Sequence, residues 1–349
     1  MISRAALRRS RAGAYVGSVS TAVDGQAPYA ERQAGPRPAL PAWSWLIAAL
    51  AIFLSAVFGA IFAPTSTGVA VWWPAAGLSV LLALVQPRHR MPQVLLLVLG
   101  VTILANVASG RPWAMSVMFG VANAAEVAVI GAILFAPTRR FELSSLRAGL
   151  RFVVAMAAGA AVAGVLAAVG VVLIERGDLW PTLPLVAASH AAAVSLLAPL
   201  GVLPRSISVQ AGRLEMLLQS VALAVVVVLV FQPATTLPFA FAPFPFLAWA
   251  ALRFPIRFVL AQTIAASLLM LVLMLDSGGP FRQLALDETG LVATFELLLV
   301  TVGATVVVLS SAQYELRALA RQVEASNRLL TGGVIDASIG LVIAERADE

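Results

Sequence analysis

Few residues of this 349-residue sequence have side chains that could do catalytic chemistry. It contains no cysteine and only two histidines, His89 and His190, which excludes thiol nucleophiles, thiolate zinc sites and iron–sulfur clusters. It has no glycine-rich phosphate loop, no His-Glu-x-x-His helix and no nucleophile elbow. One histidine and two isolated carboxylates within apolar runs are too few for a transition-metal site. The sequence therefore predicts no catalytic residue, no metal and no cofactor.

The polar residues that lie within long apolar runs are the candidate functional residues, because such groups are costly in a bilayer unless they are paired or hydrated. Glu126 and Asn123 are three residues apart and therefore share one helix face. Together with Asn106, His190 and Trp73, they predict a cavity in the outer half of the membrane. Glu296 lies at about the same depth as His190 and is added to this cavity. An unidentified small ligand is the expected occupant.

Each candidate also has a structural interpretation that the sequence leaves open. Trp73 could be an interfacial aromatic anchor next to a kink, and Asn106 and His190 could each donate a hydrogen bond between helices. Glu296 lies close enough to the membrane surface to be solvated. Glu126 suits helix packing and function equally well.

The elements that position these residues are predicted to be transmembrane helices. The chain is 60% hydrophobic and 11% charged, whereas a soluble domain carries about 25% charged residues. Apolar runs of spanning or near-spanning length lie at 42–63, 68–86, 91–108, 113–136, 150–174, 185–203, 215–232, 237–252, 254–275 and 290–311. We predict an all-α polytopic bundle of about ten spans. The run 237–252 is short and broken by prolines.

The arginines set the predicted orientation. All 23 basic residues are arginine, and 20 of them fall on one side if the N-terminus is inside. Because positive loops stay cytoplasmic, both termini are predicted to be cytoplasmic. The positive charge is spread over short loops without interleaved aromatics, so the lipid bilayer is the expected partner and nucleic acid is not.

The two ends of the chain differ from the apolar middle. Residues 1–41 predict a disordered cytoplasmic arm, and residues 312–331 predict a signalling helix. Heptad-spaced apolar residues in that helix predict a coiled coil that joins two copies in a homodimer. This seam comprises Leu316, Leu319, Val323 and Leu330. The alternative is a helix that lies on its own membrane domain.

The last residues are predicted to begin another domain. Thr331, Gly332 and Gly333 predict the end of the signalling helix, and 340–344 is a β-rich run. Residues 332–349 are too few to bury a core. We interpret them as the truncated start of a PAS-like or other output domain.

Several motifs resemble one bacterial family. Residues 71–78 read Val-Trp-Trp-Pro-Ala-Ala-Gly-Leu and resemble the Trp-Pro-Pro-Ala-Gly signature of the type-one membrane-associated sensor (MASE) domain. Similar matches to family motifs lie at 99–106, 123–126, 197–199, 245–254 and 279–281. In two departures, Ala75 replaces a proline and His190 stands where the family usually carries an aspartate.

The resemblance implies a sensory module of the bacterial inner membrane. Such modules precede histidine kinases, PAS domains, diguanylate cyclases or phosphodiesterases, and the expected stimulus is extracytoplasmic or intramembrane. The resemblance adds Pro74, Gly77, Trp249 and Arg253 to the predicted cavity. A small-solute transporter is the main alternative, and a truncated membrane anchor without a signalling role is the second.

The predicted orientation can be tested with reporter fusions. A reporter that is active only in the cytoplasm, placed after residue 311, should be active, because the retained arginines hold that end inside. The same reporter placed after Gly177 should be inactive, since Arg176 lies in a predicted outer loop. Activity of both fusions, or of the second alone, would contradict the predicted orientation.

Overall fold

The computed structural model describes residues 41–61, 72–135, 141–204, 211–232, 238–275, 279–284 and 286–346, and these contain helices and no strand. The ten α-helices are α1 (Ala42–Ile61), α2 (Pro74–Val85), α3 (Met91–Ala108), α4 (Trp113–Leu134), α5 (Leu146–Gly170), α6 (Leu179–Leu197), α7 (Arg213–Phe231), α8 (Phe244–Arg253), α9 (Ile256–Leu275) and α10 (Glu288–Arg346). The predicted all-α bundle of about ten helices is confirmed. The predicted arm, apart from Pro41, lies outside the described residues.

Two of the ten helices are too short to cross a membrane alone. Within the described residues, eight helical segments are long and apolar enough to span. The remaining two, α2 with 12 residues and α8 with 10, reach about 18 and 15 Å, against a hydrocarbon layer of about 30 Å. Pro243 precedes the first residue of α8, and Pro245 lies in its first turn, so the described residues 238–252 do not form one continuous span.

The sixth helix lies at the centre of the bundle. Its apolar segment is 78% buried, compared with 17% for α1. Glycines allow other helices to approach its backbone closely, as small residues do in membrane proteins. A Cβ atom added to Gly77 of α2 would lie 2.3 Å from the Ala193 carbonyl oxygen, and one added to Gly303 of α10 would lie 2.2 Å from Ser195 Oγ. Helices α2 and α10 are therefore both tightly packed on α6.

The last helix is longer than predicted. It continues through Gly332 and Gly333 to Arg346, so the predicted helix end at 331–333 and the predicted β-rich run at 340–344 are wrong. A glycine costs a helix only about 1 kcal/mol, and adding residues to an established helix requires no new nucleation. The assignment of residues 332–349 to an output domain remains a prediction.

Candidate functional site

A buried hydrogen bond joins α4 and α6. His190 Nδ1 lies 2.7 Å from Glu126 Oε2. The whole Glu126 residue is inaccessible to solvent, and His190 is 5% exposed. One proton lies between these two atoms, and which of them donates it depends on the state of the imidazole. In either case, each side chain supplies the polar partner that the other requires in an apolar interior.

Two further predicted residues extend this pair to α2. Trp73, the residue just before α2, stacks on His190 with ring centroids 6.4 Å apart and an interplanar angle of 8°. Its indole Nε1 donates to Asn123 Oδ1 over 3.2 Å, and Asn123 Nδ2 donates to the Phe119 carbonyl oxygen over 2.8 Å. We call Trp73, Asn123, Glu126 and His190 the buried polar network.

The sequence around α2 explains the position of Trp73. Pro74 occupies the first turn of α2, where its fixed φ favours helix initiation. Gly59 of α1 leaves room for the indole, since a Cβ there would lie 2.9 Å from Trp73 Cε3. Gly77, one turn into α2, contacts α6 through its backbone. Pro74 and Gly77 therefore position the network residue Trp73.

One atom of the network lacks a partner. Glu126 Oε1 is buried and accepts no hydrogen bond from any residue that the structure describes, although buried polar atoms are normally satisfied. A ligand or water that donates a hydrogen bond would complete this site. No group of three metal-ligating side chains occurs in the part of the chain that the structure describes.

Asn106 is buried near the end of α3. Its Nδ2 donates to the Thr102 carbonyl oxygen, and its own carbonyl oxygen accepts from the Arg111 N–H. Asn106 thus stabilises the end of α3, and none of its hydrogen bonds reaches the network. Its side-chain Oδ1 is buried without a partner.

Trp249 and Arg253, which were both predicted to line the cavity, contact Glu215. Arg253 Nε and Nη2 donate to Glu215 Oε1 and Oε2 over 3.1 and 3.2 Å, and Trp249 Nε1 lies 3.4 Å from Glu215 Oε1. This cluster joins the first turn of α7 to the last turn of α8. Glu215 opens an apolar helix, and its pairing across helices was not predicted.

Glu296 is deeply buried, so its interpretation as a solvated residue near the surface is wrong. The residue has no solvent exposure, and neither carboxyl oxygen has a hydrogen-bond partner. The structure does not bring it into the hydrogen bonds of the network.

Two residues that the sequence did not single out fix α10 where it leaves the bundle. Glu315 Oε2 accepts from the Leu146 N–H at the start of α5 over 2.9 Å. Arg317 Nη2 and Nη1 donate to the carbonyl oxygens of Leu252 and Phe254, at the end of α8, over 2.6 and 3.4 Å. These backbone groups are left unpaired by their own helices. We call Glu315 and Arg317 the collar of α10.

The coupling within the buried pair can be measured with a double-mutant cycle. We expect Glu126→Gln and His190→Gln each to lower the free energy of unfolding by about 1–3 kcal/mol, and the double variant to lose less than the sum. The measurement is reversible unfolding of the full chain in bicelles. The exposed His89→Gln should change stability by less than about 0.5 kcal/mol. Strictly additive losses would contradict a direct interaction.

Comparison with known proteins identifies the family. A protein-family model, MASE1, matches residues 43–317. No curated protein and no solved structure matches the chain. The match includes all of the network and collar residues and covers most of the chain. MASE1 is a sensory membrane domain rather than a catalytic one. The chain belongs to the MASE1 family and is a membrane sensory module of bacterial signalling proteins.

Proposed function

We propose that the module detects a stimulus at the buried polar network and relays it through α10 to a cytoplasmic output domain. A histidine kinase, a PAS domain or a diguanylate cyclase would suit this role. The observation that carries the proposal is the position of α6. One side of α6 presents His190 to Glu126 and Trp73, and the same helix meets α10 where Ser195 contacts Gly303.

The relay follows from this packing. A ligand that donates a hydrogen bond to Glu126 Oε1 would complete the hydrogen bonding of the pair and would favour the position of α6 that binds it best. A stimulus acts only by stabilising one of two arrangements more than the other. Because no side chain separates Gly303 from Ser195, movement of α6 would displace α10 directly.

The seam residues support a homodimer through the α10 extension. Leu316, Leu319, Val323 and Leu330 are between 53% and 66% exposed. They therefore do not pack on the described bundle, which argues against a helix lying on its own membrane domain. A second copy of the chain would bury them in a parallel coiled coil. In this proposal, both termini are cytoplasmic and the bundle lies in the inner membrane.

The collar also supports a relay from the bundle through α10 to the exposed extension. It holds α10 to the start of α5 and the end of α8, at the boundary between the bundle and the exposed extension. A small-solute transporter would have no use for an extension of this kind. The short α8 is the feature that suits a transporter, whose sites often lie at broken helices.

The proposed relay can be tested by fusing the full chain to a diguanylate cyclase that is active as a dimer. We expect Arg317→Gln to change the basal cyclase output about fivefold or more, because it removes the donors that hold α10 to α8. The measurement is cyclic di-GMP per unit of inserted fusion protein.

A matched control uses the same substitution further along the same helix. Arg328 pairs with Glu324, four residues earlier on α10, and this pair does not join α10 to another described helix, so Arg328→Gln should leave the output unchanged. Separately, Leu319→Glu in the seam should abolish output if the active form is a dimer. Equal output from the unchanged fusion and the Arg317→Gln and Leu319→Glu variants would contradict the relay.

A further inference from the structure

Helix α10 carries a buried acid that the network does not use. Glu296 has no solvent exposure, and among the described residues neither of its carboxyl oxygens has a hydrogen-bond partner. The other buried acid, Glu126, is held by His190 over 2.7 Å. The two acids therefore differ in whether a polar side chain is hydrogen-bonded to them in the apolar interior.

The side chain of Glu296 faces α6. Gly303 lies against Ser195 of α6, and Glu296 precedes Gly303 by seven residues, which is about two helical turns. The two residues therefore lie on the same face of α10. The segment of α6 on that side is rich in alanine and serine, and His190 is the only titratable residue between Leu179 and Leu197.

Several other elements pack on α10. Their charged groups lie either near the collar of α10 or near the first turn of α10. Gly149 of α5 meets Ser311 and Val308, so the start of α5, with Arg147 and Arg151, lies more than about 15 Å along α10 from Glu296. Arg253 ends α8 beside the collar, and Arg257 opens α9. On α10 itself, Glu288 is about two turns earlier. The preceding turn, Gly279–Leu284, contains Arg282, whose side chain is outside the described set.

We propose that Glu296 is a proton-binding site, at which the carboxyl group holds its own proton as a neutral acid at neutral pH. An ionised carboxylate would be buried here without a counter-charge or a hydrogen-bond donor, which is strongly unfavourable. A metal ion would need several more ligands than this carboxyl group supplies, and the described residues contain no cluster of three ligating side chains. A proton needs only the carboxylate.

The consequence for signalling rests on the proposed function, whereas the binding itself does not. Loss of the proton would place an uncompensated charge on the face of α10 that packs on α6. The bundle would then favour an arrangement in which Glu296 reaches water or a cation. Proton occupancy at Glu296 would in this way bias the position of the relay helix.

The test is infrared spectroscopy of the full chain in lipid nanodiscs, which resolves the carbonyl stretch of protonated carboxylic acids. We expect Glu296→Gln to remove one such band at neutral pH. Glu324→Gln, on the exposed part of α10, should leave the spectrum in this region unchanged. Glu296→Asp keeps a carboxyl group and should shift the same band rather than remove it, which guards against misfolding of the glutamine variant.

Two results would overturn the proposal. One is an unchanged carboxylic-acid region in both Glu296 variants, which would mean that the group is ionised. The other is a thermal midpoint that rises in sodium chloride relative to choline chloride and loses this rise in Glu296→Gln, which would assign the site to an alkali cation. Neither readout involves the output domain, so a failure here is distinguishable from a failure of the proposed relay.

Discussion

The arrangement of the bundle depends on the hydrogen bond between Glu126 and His190. Each of these side chains would be costly in an apolar interior by itself, and each supplies the partner that the other needs. The pair links α4 to α6 through their side chains. Trp73 adds the start of α2 to the same point through its stacking on His190 and its hydrogen bond to Asn123. A polar interaction thus selects one arrangement of the helices, whereas apolar contacts alone would allow several arrangements of similar energy.

The central position of α6 connects the Glu126–His190 hydrogen bond to other helices. Gly77 and Gly303 bring α2 and α10 onto α6 without intervening side chains. Tightly packed helices of this kind change between discrete arrangements rather than deforming gradually. A local event at the network is therefore coupled to α10, and the collar determines where the movement of α10 enters the exposed extension.

The sequence predicted the helices well because long apolar runs leave few alternatives. It also selected Trp73, Asn123, Glu126 and His190, since polar residues within such runs stand out individually. It did not predict their pairing, because contact between different helices has no periodic signature. The same limit explains why the contact of Arg253 with Glu215 was not predicted, and why the contacts of Glu315 and Arg317 with the ends of other helices were missed.

Two local predictions were wrong for other reasons. Glu296 was interpreted as solvated from its distance to the end of its span, but burial depends on which face the residue presents to α6. The pair of glycines at 332–333 was interpreted as a helix end, but α10 continues through them. Helix propensity is a weak constraint once a long helix is established.

The most direct test of the Glu126–His190 interaction is solid-state NMR of the full chain in lipid, with ¹⁵N-labelled histidine and ¹³C-labelled glutamate. The chain has only two histidines, so in a His89→Gln variant every histidine signal comes from His190. We expect a strong dipolar coupling between His190 Nδ1 and a glutamate carboxyl carbon, which Glu126→Gln alters and Glu296→Gln does not. A His190 imidazole with no carboxyl carbon within hydrogen-bonding range would contradict the buried pair and the packing that depends on it.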